Sequence, residues 1–421
     1  MYRKPIKYII IYLMFTLIAY VITYAKTESH NMFFTVIVCC IYYLAMLFGY
    51  YSITFRTTDI DELNKTEDVV KYSNKIKYII FFASIATIIV SIVNVFSFYS
   101  LSQMSLDFIM SPGESYEYVK EIRRNEIEDT GMITISSSLL GLTLNTLSFT
   151  KFIVITFIPL FWNQISKTIK IVGIISVTTY IIHAFFIGAM INIGIIVFSL
   201  IPILIYVQGT NRVNIMTMSK NGKLLFRLAL FSAILLIVFF MGSRYVSVNS
   251  GVGDIFSAGF DGLSFYISHG YVGLSTCFDL PFTSTFGAST FHGLATKLLS
   301  VDIYNSLWAD SYLMRNQAQT GWQALQVWST IFPWIASDIS FLLIPIVMLF
   351  IGRFMGKVWR NAVVWKNPYA FLMMSQLMIF AFMIPANNQL FHSFGNSVGT
   401  VFIYLMYRIS LSSNRFRLTF K

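Results

Sequence analysis

Residues 78–99, YIIFFASIATIIVSIVNVFSFY, decide the class of fold. This stretch contains no Asp, Glu, Lys or Arg, and at about 1.5 Å per residue a helix of this length crosses a hydrocarbon core of about 30 Å. Backbone polar groups in lipid must be paired within the segment, so such runs are expected to be helices. Similar runs predict helices near 8–25, 33–54, 78–99, 149–164, 171–187, 189–207, 224–242, 334–352, 368–385 and 396–412. The sequence therefore predicts an all-α polytopic membrane protein with about 10–12 transmembrane helices, forming a single integral membrane domain over residues 1–421.

The composition and the distribution of charge agree with this prediction. Of the 421 residues, 56% are hydrophobic and 12% are charged, against about 25% charged in soluble domains. If both termini are cytoplasmic, most Lys and Arg fall in cytoplasmic segments and most Asp and Glu fall outside. The net charge of +11 is therefore a topology signal, and we expect no nucleic acid among the partners.

Two long outer loops separate the predicted spans. The loop at 100–148 is rich in acidic residues and ends in a Ser- and Thr-dotted stretch, 131–148, which we predict to be an interfacial or re-entrant segment. The loop at 243–333 carries many aromatic residues, which is unlike a disordered chain. We expect this loop to be partly helical and to cap the outer mouth of the bundle.

Metal and nucleotide chemistry find little support in the sequence. The five histidines show no i, i+4 pair typical of zinc sites, and no cluster of Asp residues suggests magnesium. The cytoplasmic loops contain no Gly-rich phosphate-binding motif. We therefore predict no metal and no cofactor.

Candidate functional residues concentrate on the predicted outer face. Arginine makes bidentate contacts to phosphate oxygens, and four outer arginines are candidates for diphosphate binding: Arg123, Arg124, Arg244 and Arg315. Ion pairing with nearby glutamates is the alternative for Arg123 and Arg124.

Candidates for proton transfer are Asp338, His269 and His392. Asp338 is either a general base, a group that orients a sugar hydroxyl, or a helix N-terminal Asp stabilised by free amides. The predicted sugar-binding residues are Tyr266, Tyr271, Trp322, Trp328, Asn387, Asn388 and Gln389. The aromatic members of this set could instead belong to the interfacial belt of a membrane protein.

Three stretches carry a family resemblance. They are residues 265–281, FYISHGYVGLSTCFDLP, followed by Phe286–Gly287; residues 321–341, which contain WSTIFPWIASDISF; and residues 384–394, IPANNQLFHSF. These three segments resemble parts of bacterial oligosaccharide repeat-unit polymerases (the Wzy-type O-antigen and capsule polymerases). The resemblance covers the C-terminal third, whereas the N-terminal half matches only in hydropathy and loop layout. Residue 255, eleven after Arg244, is Ile, so the arginine-then-glycine spacing of some family members is not reproduced.

The resemblance implies a metal-independent, GT-C-like glycosyltransferase of the bacterial cytoplasmic (inner) membrane. Such an enzyme transfers a growing glycan from undecaprenyl diphosphate to the non-reducing end of a new lipid-linked unit at the outer leaflet. Its substrate partner is the undecaprenyl-diphosphate-linked oligosaccharide in membrane lipid, and a chain-length regulator and a flippase are its expected protein partners. An O-antigen ligase, a polysaccharide flippase or other transporter, and a non-catalytic scaffold are the alternatives.

Overall fold

The computed structural model describes residues 4–24, 31–53, 70, 72–98, 118–119, 121, 139–187, 191–209, 238, 242, 252–324 and 328–418. Within these ranges the regular structure is helical, with no strand. The helices are α1 Pro5–Tyr24, α2 Met32–Tyr51, α3 Asn74–Phe96, α4 Leu139–Leu147, α5 Thr150–Leu160, α6 Lys167–Phe186, α7 Ile191–Gly209, α8 Val252–Ser275, α9 His292–Leu298, α10 Val301–Ala309, α11 Tyr312–Thr320, α12 Ile331–Ile339, α13 Ile344–Val363, α14 Pro368–Met383 and α15 Phe394–Leu418. Short 3-10 helices lie at Thr276–Asp279 and Phe341–Leu343.

Six stretches among the described residues are long and apolar enough to span a membrane. They are Pro5–Thr23, Met32–Tyr51, Asn74–Phe96, Gly141–Leu160, Lys167–Phe186 and Phe341–Val363. Ile191–Val207 and Pro368–Met383 are shorter apolar helices. An all-helical, polytopic membrane protein is therefore confirmed, and the predicted helix 224–242 lies largely outside the described residues.

Two predicted boundaries are wrong. The span predicted at 149–164 starts earlier, because α4 and α5 follow one another and the apolar stretch begins at Gly141. Part of the stretch 131–148, predicted to be interfacial or re-entrant, thus lies in a segment that is long and apolar enough to span a membrane. The predicted helix 334–352 is broken, because Ser340 adopts φ 73° and ψ 149° between α12 and α13. A non-glycine residue rarely adopts this conformation, which costs on the order of 1–3 kcal/mol.

The chain divides into two compact units. The first comprises Met1–Lys71, Phe198–Gly209 and Tyr266–Lys421, and the second comprises Tyr72–Val197 and Thr210–Phe265. A single membrane domain over 1–421 stays a prediction.

In the first unit, glycines bring α2 and α13 into backbone contact. A Cβ added to Gly352 would lie 1.9 Å from the carbonyl oxygen of Met46, and one added to Gly49 would lie 1.9 Å from that of Leu349. Only glycine permits this approach. Because α13 carries Val347 and Ile351, the close packing fixes one wall of the cleft described below.

In the second unit, α3, α5 and α6 pack together. A Cβ on Gly173 of α6 would lie 1.7 Å from Cδ1 of Ile158 on α5. The hydroxyl groups of Thr87 on α3 and Thr150 on α5 are 3.0 Å apart. Small and hydroxylated residues at such contacts are typical of membrane helix packing.

Candidate functional site

Asp338 holds the loop at residues 284–290 against α12. Its Oδ1 accepts hydrogen bonds from the Thr285 hydroxyl and, at 2.7 Å, from the Gly287 N–H. Its Oδ2 accepts one from the Thr290 N–H at 2.8 Å. The Ser284 hydroxyl donates to the Asp338 carbonyl at 2.9 Å. We call residues 284–290 the clamp loop, because three hydrogen-bond donors of this loop bind the same carboxylate.

The position of Asp338 corrects one sequence interpretation. It is the penultimate residue of α12, so it is not a helix N-terminal Asp. A carboxylate near a helix C-terminus meets the negative end of the helix dipole, and the three donors of the clamp loop offset that repulsion. In the clamp loop, Phe286 and Gly287 have φ angles of 50° and 91°. The Phe286 N–H donates to the Ser284 hydroxyl, and the Gly287 N–H donates to the Asp338 carboxylate. Together with Ser340, these φ angles are a concentration of uncommon backbone geometry of the kind that marks functional sites.

An open cleft of about 500 Å³ lies beside the Asp338 clamp. Its polar lining is Ser284, Thr290, Asp338 and Asn388. Its apolar lining includes Ile335, Ile339, Val347, Ile351 and Phe380. The wall at Val347 and Ile351 belongs to a candidate membrane span. The cleft is therefore mostly apolar. We call the part around Ser284, Thr290, Asp338 and Asn388 its polar end, and the part around Val347, Ile351 and Phe380 its apolar end.

Asn387, Asn388 and Gln389 are buried beside this polar end. The Asn388 side-chain amide donates to the Thr290 carbonyl at 2.7 Å, which ties this segment to the clamp loop. Among the described residues, Asn387 Nδ2, Asn388 Oδ1 and Gln389 Oε1 have no hydrogen-bond partner. Buried polar groups are usually satisfied, so these three atoms have the capacity to bind a polar ligand or water.

Two histidines stand close to the same region. His392 Nδ1 lies 3.2 Å from the Gln389 carbonyl, which can only accept, so the proton sits on Nδ1 and Nε2 is left as an acceptor. His292 Nδ1 lies 3.2 Å from the Tyr304 hydroxyl. Desolvation lowers the pKa of His392 to about 4, and desolvation together with the nearby His392 lowers the pKa of His292 to about 4. Both imidazoles are therefore neutral at neutral pH.

Aromatic rings surround the histidines. The His292 ring packs 4.4 Å from Trp308 and 5.5 Å from Trp334 between centroids. Trp328 packs 5.3 Å from His392, so this predicted sugar-binding residue adjoins the candidate base. The sequence did not single out His292, Thr285 or Thr290, since no motif or spacing marks them. Phe286–Gly287, quoted for the resemblance, is the signal that pointed to the clamp loop.

Other predicted residues lie elsewhere. The Arg315 Nε donates to the Asp310 carbonyl at 2.9 Å, and Nη1 donates to the Pro281 carbonyl at 2.8 Å. These bonds tie α11 to the preceding segments, and Arg315 does not line the cleft. Arg123, Arg124 and Arg244 lie outside the described residues, so their diphosphate role stays a prediction.

The remaining candidates sit on or near α8. Tyr271 is fully buried, and its hydroxyl is 2.8 Å from those of Thr16 and Tyr43, which leaves no ring face for a sugar. His269 is also buried, with its ring 5.5 Å from that of the exposed Tyr266. Trp322 is half-buried against Gly273. None of these four predicted residues lines the cleft.

The described residues contain no group of three or more His, Cys, Asp or Glu side chains that could hold a metal ion. No family model, no curated protein and no solved structure matches this chain.

Proposed function

We propose that this protein is a polymerase of undecaprenyl-diphosphate-linked oligosaccharide repeat units, acting at the outer leaflet in the synthesis of O-antigen, capsule or exopolysaccharide. The observation that carries the proposal is the cleft beside Asp338, in which a long apolar wall adjoins a few polar side chains. An isoprenoid-linked saccharide has an apolar chain joined through a diphosphate to polar sugars. The apolar lining formed by Val347, Ile351 and Phe380 suits the chain, and the polar end suits the sugar.

The polar end offers the groups that a glycosyl acceptor needs. Asn387, Asn388 and Gln389 have hydrogen-bonding atoms without partners among the described residues, and these could orient sugar hydroxyls. Aromatic side chains such as Trp328 stack on sugar faces. In this proposal Asp338 positions the clamp loop, because its carboxylate already accepts three hydrogen bonds.

The chemistry is a single displacement. The acceptor hydroxyl oxygen attacks the anomeric carbon of the growing chain, and the bond from that carbon to the diphosphate oxygen breaks. The hydroxyl proton passes to a base, for which the neutral His392 with Nε2 as acceptor is the candidate. The negative charge that builds on the leaving diphosphate calls for cationic donors, and Arg123, Arg124 and Arg244 are the proposed ones.

A deletion strain complemented with variants tests the proposal. Val347→Trp fills the apolar end of the cleft and leaves residue 338 unaltered. Ile346→Trp is the matched control, since Ile346 lies on the same helix, is 52% exposed and does not line the cleft. We expect the wild type and the control to restore a surface-glycan ladder and Val347→Trp to leave single repeat units. Polymer held on the carrier lipid and absent from its final acceptor would indicate a ligase, and single units retained on the inner leaflet would indicate a flippase.

A further inference from the structure

The second unit contains a partly open cavity between its packed helices, lined by both polar and apolar side chains. It has a volume of about 40 Å³ and lies where the C-terminal parts of α3 and α6 meet the first turn of α5. At roughly 10–15 Å³ per water, it holds a few waters or one small anionic group. The lining residues are Thr87, Val90, Ser91, Asn94, Ser148, Thr150, Lys151, Tyr180 and His183.

Lys151 places a positive charge in this cavity. The residue belongs to the apolar span Gly141–Leu160, and its Nζ lies 5.1 Å from the ring centroid of Tyr180 and 5.2 Å from that of Phe152. None of the described residues that line the cavity is acidic. An ionisable group at membrane depth is costly unless it is paired, and aromatic faces compensate only in part. The described part of the chain therefore supplies no anion in the cavity to balance this ammonium group.

Tyr180 provides a second, independent sign of a ligand. Its side chain is 4% exposed, and among the described residues its buried hydroxyl has no hydrogen-bond partner. The hydroxyls of Thr87 and Thr150, by contrast, are satisfied by each other and by the Ala83 and Leu147 carbonyls. An ammonium group can only donate, and a tyrosine hydroxyl can donate. A ligand that only accepts, and is anionic, would satisfy both.

The dipoles of the neighbouring helices explain the position of Lys151 but not the unpartnered hydroxyl of Tyr180. The C-terminal ends of α3 and α6 carry partial negative charge, which favours a nearby cation and so helps to account for Lys151. It does not account for the unpartnered hydroxyl of Tyr180. From both groups together, we infer that this cavity binds the phosphate group of an anionic membrane lipid, with Lys151 and Tyr180 as donors.

The surroundings favour a lipid over free phosphate. The same helices expose apolar side chains at the level of the cavity, among them Ile89 and Ile92 on α3 and Ile182 on α6. Acyl chains would lie on such a surface while the phosphate enters the cavity. This inference concerns the second unit alone and does not depend on the proposed polymerase activity.

The test is a lipid titration of the delipidated full chain in detergent micelles, read by native mass spectrometry. The probe is phosphatidylglycerol, and oleate serves as an anionic lipid without phosphate. We expect Lys151→Met to weaken phosphatidylglycerol binding on the order of tenfold or more, the loss expected for a charge-assisted hydrogen bond. Lys151→Arg should retain most of the affinity. The control is Lys167→Met, which removes an exposed charge from α6 and should change nothing.

Tyr180→Phe separates ligand binding from folding. A buried hydroxyl without a partner contributes nothing to stability, so its removal should leave the thermal midpoint unchanged or raise it. We expect it nevertheless to weaken phosphatidylglycerol binding several-fold. Unchanged affinity in both Lys151→Met and Tyr180→Phe would overturn the inference. Equal binding of oleate would overturn the phosphate assignment, and a Lys151-dependent thermal shift with inorganic phosphate but not with phosphatidylglycerol would overturn the lipid assignment.

Discussion

Replacing Asp338 by Asn should release the clamp loop from α12. The carboxylate accepts from Thr285 and Gly287 on Oδ1 and from the Thr290 N–H on Oδ2. In Asp338→Asn the amide oxygen can keep the first two donors, but the amide nitrogen then faces the Thr290 N–H, donor against donor. The change loses one hydrogen bond to a charged group, about 1.5–3 kcal/mol. Asp338→Ala removes all three acceptor contacts, and at about 1–3 kcal/mol for each unsatisfied donor it should cost more.

Hydrogen–deuterium exchange of the peptide containing residues 284–291 measures this effect directly. A loss of about 1.5–3 kcal/mol predicts amide exchange at Thr290 that is roughly 10- to 150-fold faster in Asp338→Asn. Asp338→Ala, which also removes the acceptor of the Gly287 N–H, should extend the faster exchange to Gly287. The matched control is Asp261→Asn, because Asp261 is exposed on α8 and does not line the cleft.

The outcome distinguishes a positioning role from an incidental contact. Faster exchange confined to the clamp loop, together with loss of polymer, would support positioning by Asp338. Exchange at Gly287 and Thr290 that is equal in the wild type and both Asp338 variants would refute the reasoning. Full activity in Asp338→Ala despite faster exchange would show that polymerisation does not require the hydrogen bonds between Asp338 and the clamp loop.

Three further predictions follow from the described contacts. Gly352→Ala should lower the thermal midpoint in detergent, because the added Cβ would lie 1.9 Å from the carbonyl oxygen of Met46. Gly253→Ala is the control and should leave the midpoint unchanged, because its Cβ meets nothing within 4 Å. Equal midpoints for the two variants would argue against the contact between α2 and α13. The pKa values of His292 and His392 are lowered to about 4 in the folded chain, against about 6.5 in the unfolded chain. The unfolded chain therefore binds more protons than the folded chain between about pH 4 and about pH 6.5. The free energy of unfolding should be at its full value above about pH 6.5 and should fall as the pH drops towards 4, by up to roughly 3 kcal/mol for each histidine. Replacing both by Asn should flatten the pH dependence of the thermal midpoint, and an unchanged slope would contradict the burial of neutral imidazoles. Arg315→Lys and Arg315→Ala should both destabilise the protein by about 1–3 kcal/mol, because the bonds to the Asp310 and Pro281 carbonyls are lost. Thermal unfolding measures this effect, and loss of polymer with unaltered stability would instead assign Arg315 to the diphosphate.

Hydropathy predicted most of the described membrane helices because a lipid environment imposes one strong requirement, which is a long apolar segment. It failed at residue 340, where Ser340 takes a conformation that its residue type disfavours. The break depends on tertiary contacts, with the clamp loop held by Asp338 on one side and the close packing of α13 on the other. Hydropathy also placed the start of the α4–α5 span too late, because Ser and Thr residues there weaken the apolar signal while their hydroxyls bond within the helix.

The candidate site was predictable only in part. Asp338, Asn388 and His392 could be selected because polar residues beside apolar spans are uncommon. His292 and Thr290 could not, since their roles depend on a loop that folds back over residues far along the chain. Tyr271 illustrates the opposite case, in which a residue type typical of sugar sites fills the core and bonds to Thr16 and Tyr43.

The most direct test of the central claim is polymerisation by the purified chain in detergent, supplied with undecaprenyl-diphosphate-linked repeat units and read by mass spectrometry of the glycan. The account predicts products of two and more repeats, released undecaprenyl diphosphate in matching amount, and loss of both with Val347→Trp but not with Ile346→Trp. Glycan that stays at a single repeat in the wild type, or elongation that Val347→Trp leaves unchanged, would contradict it.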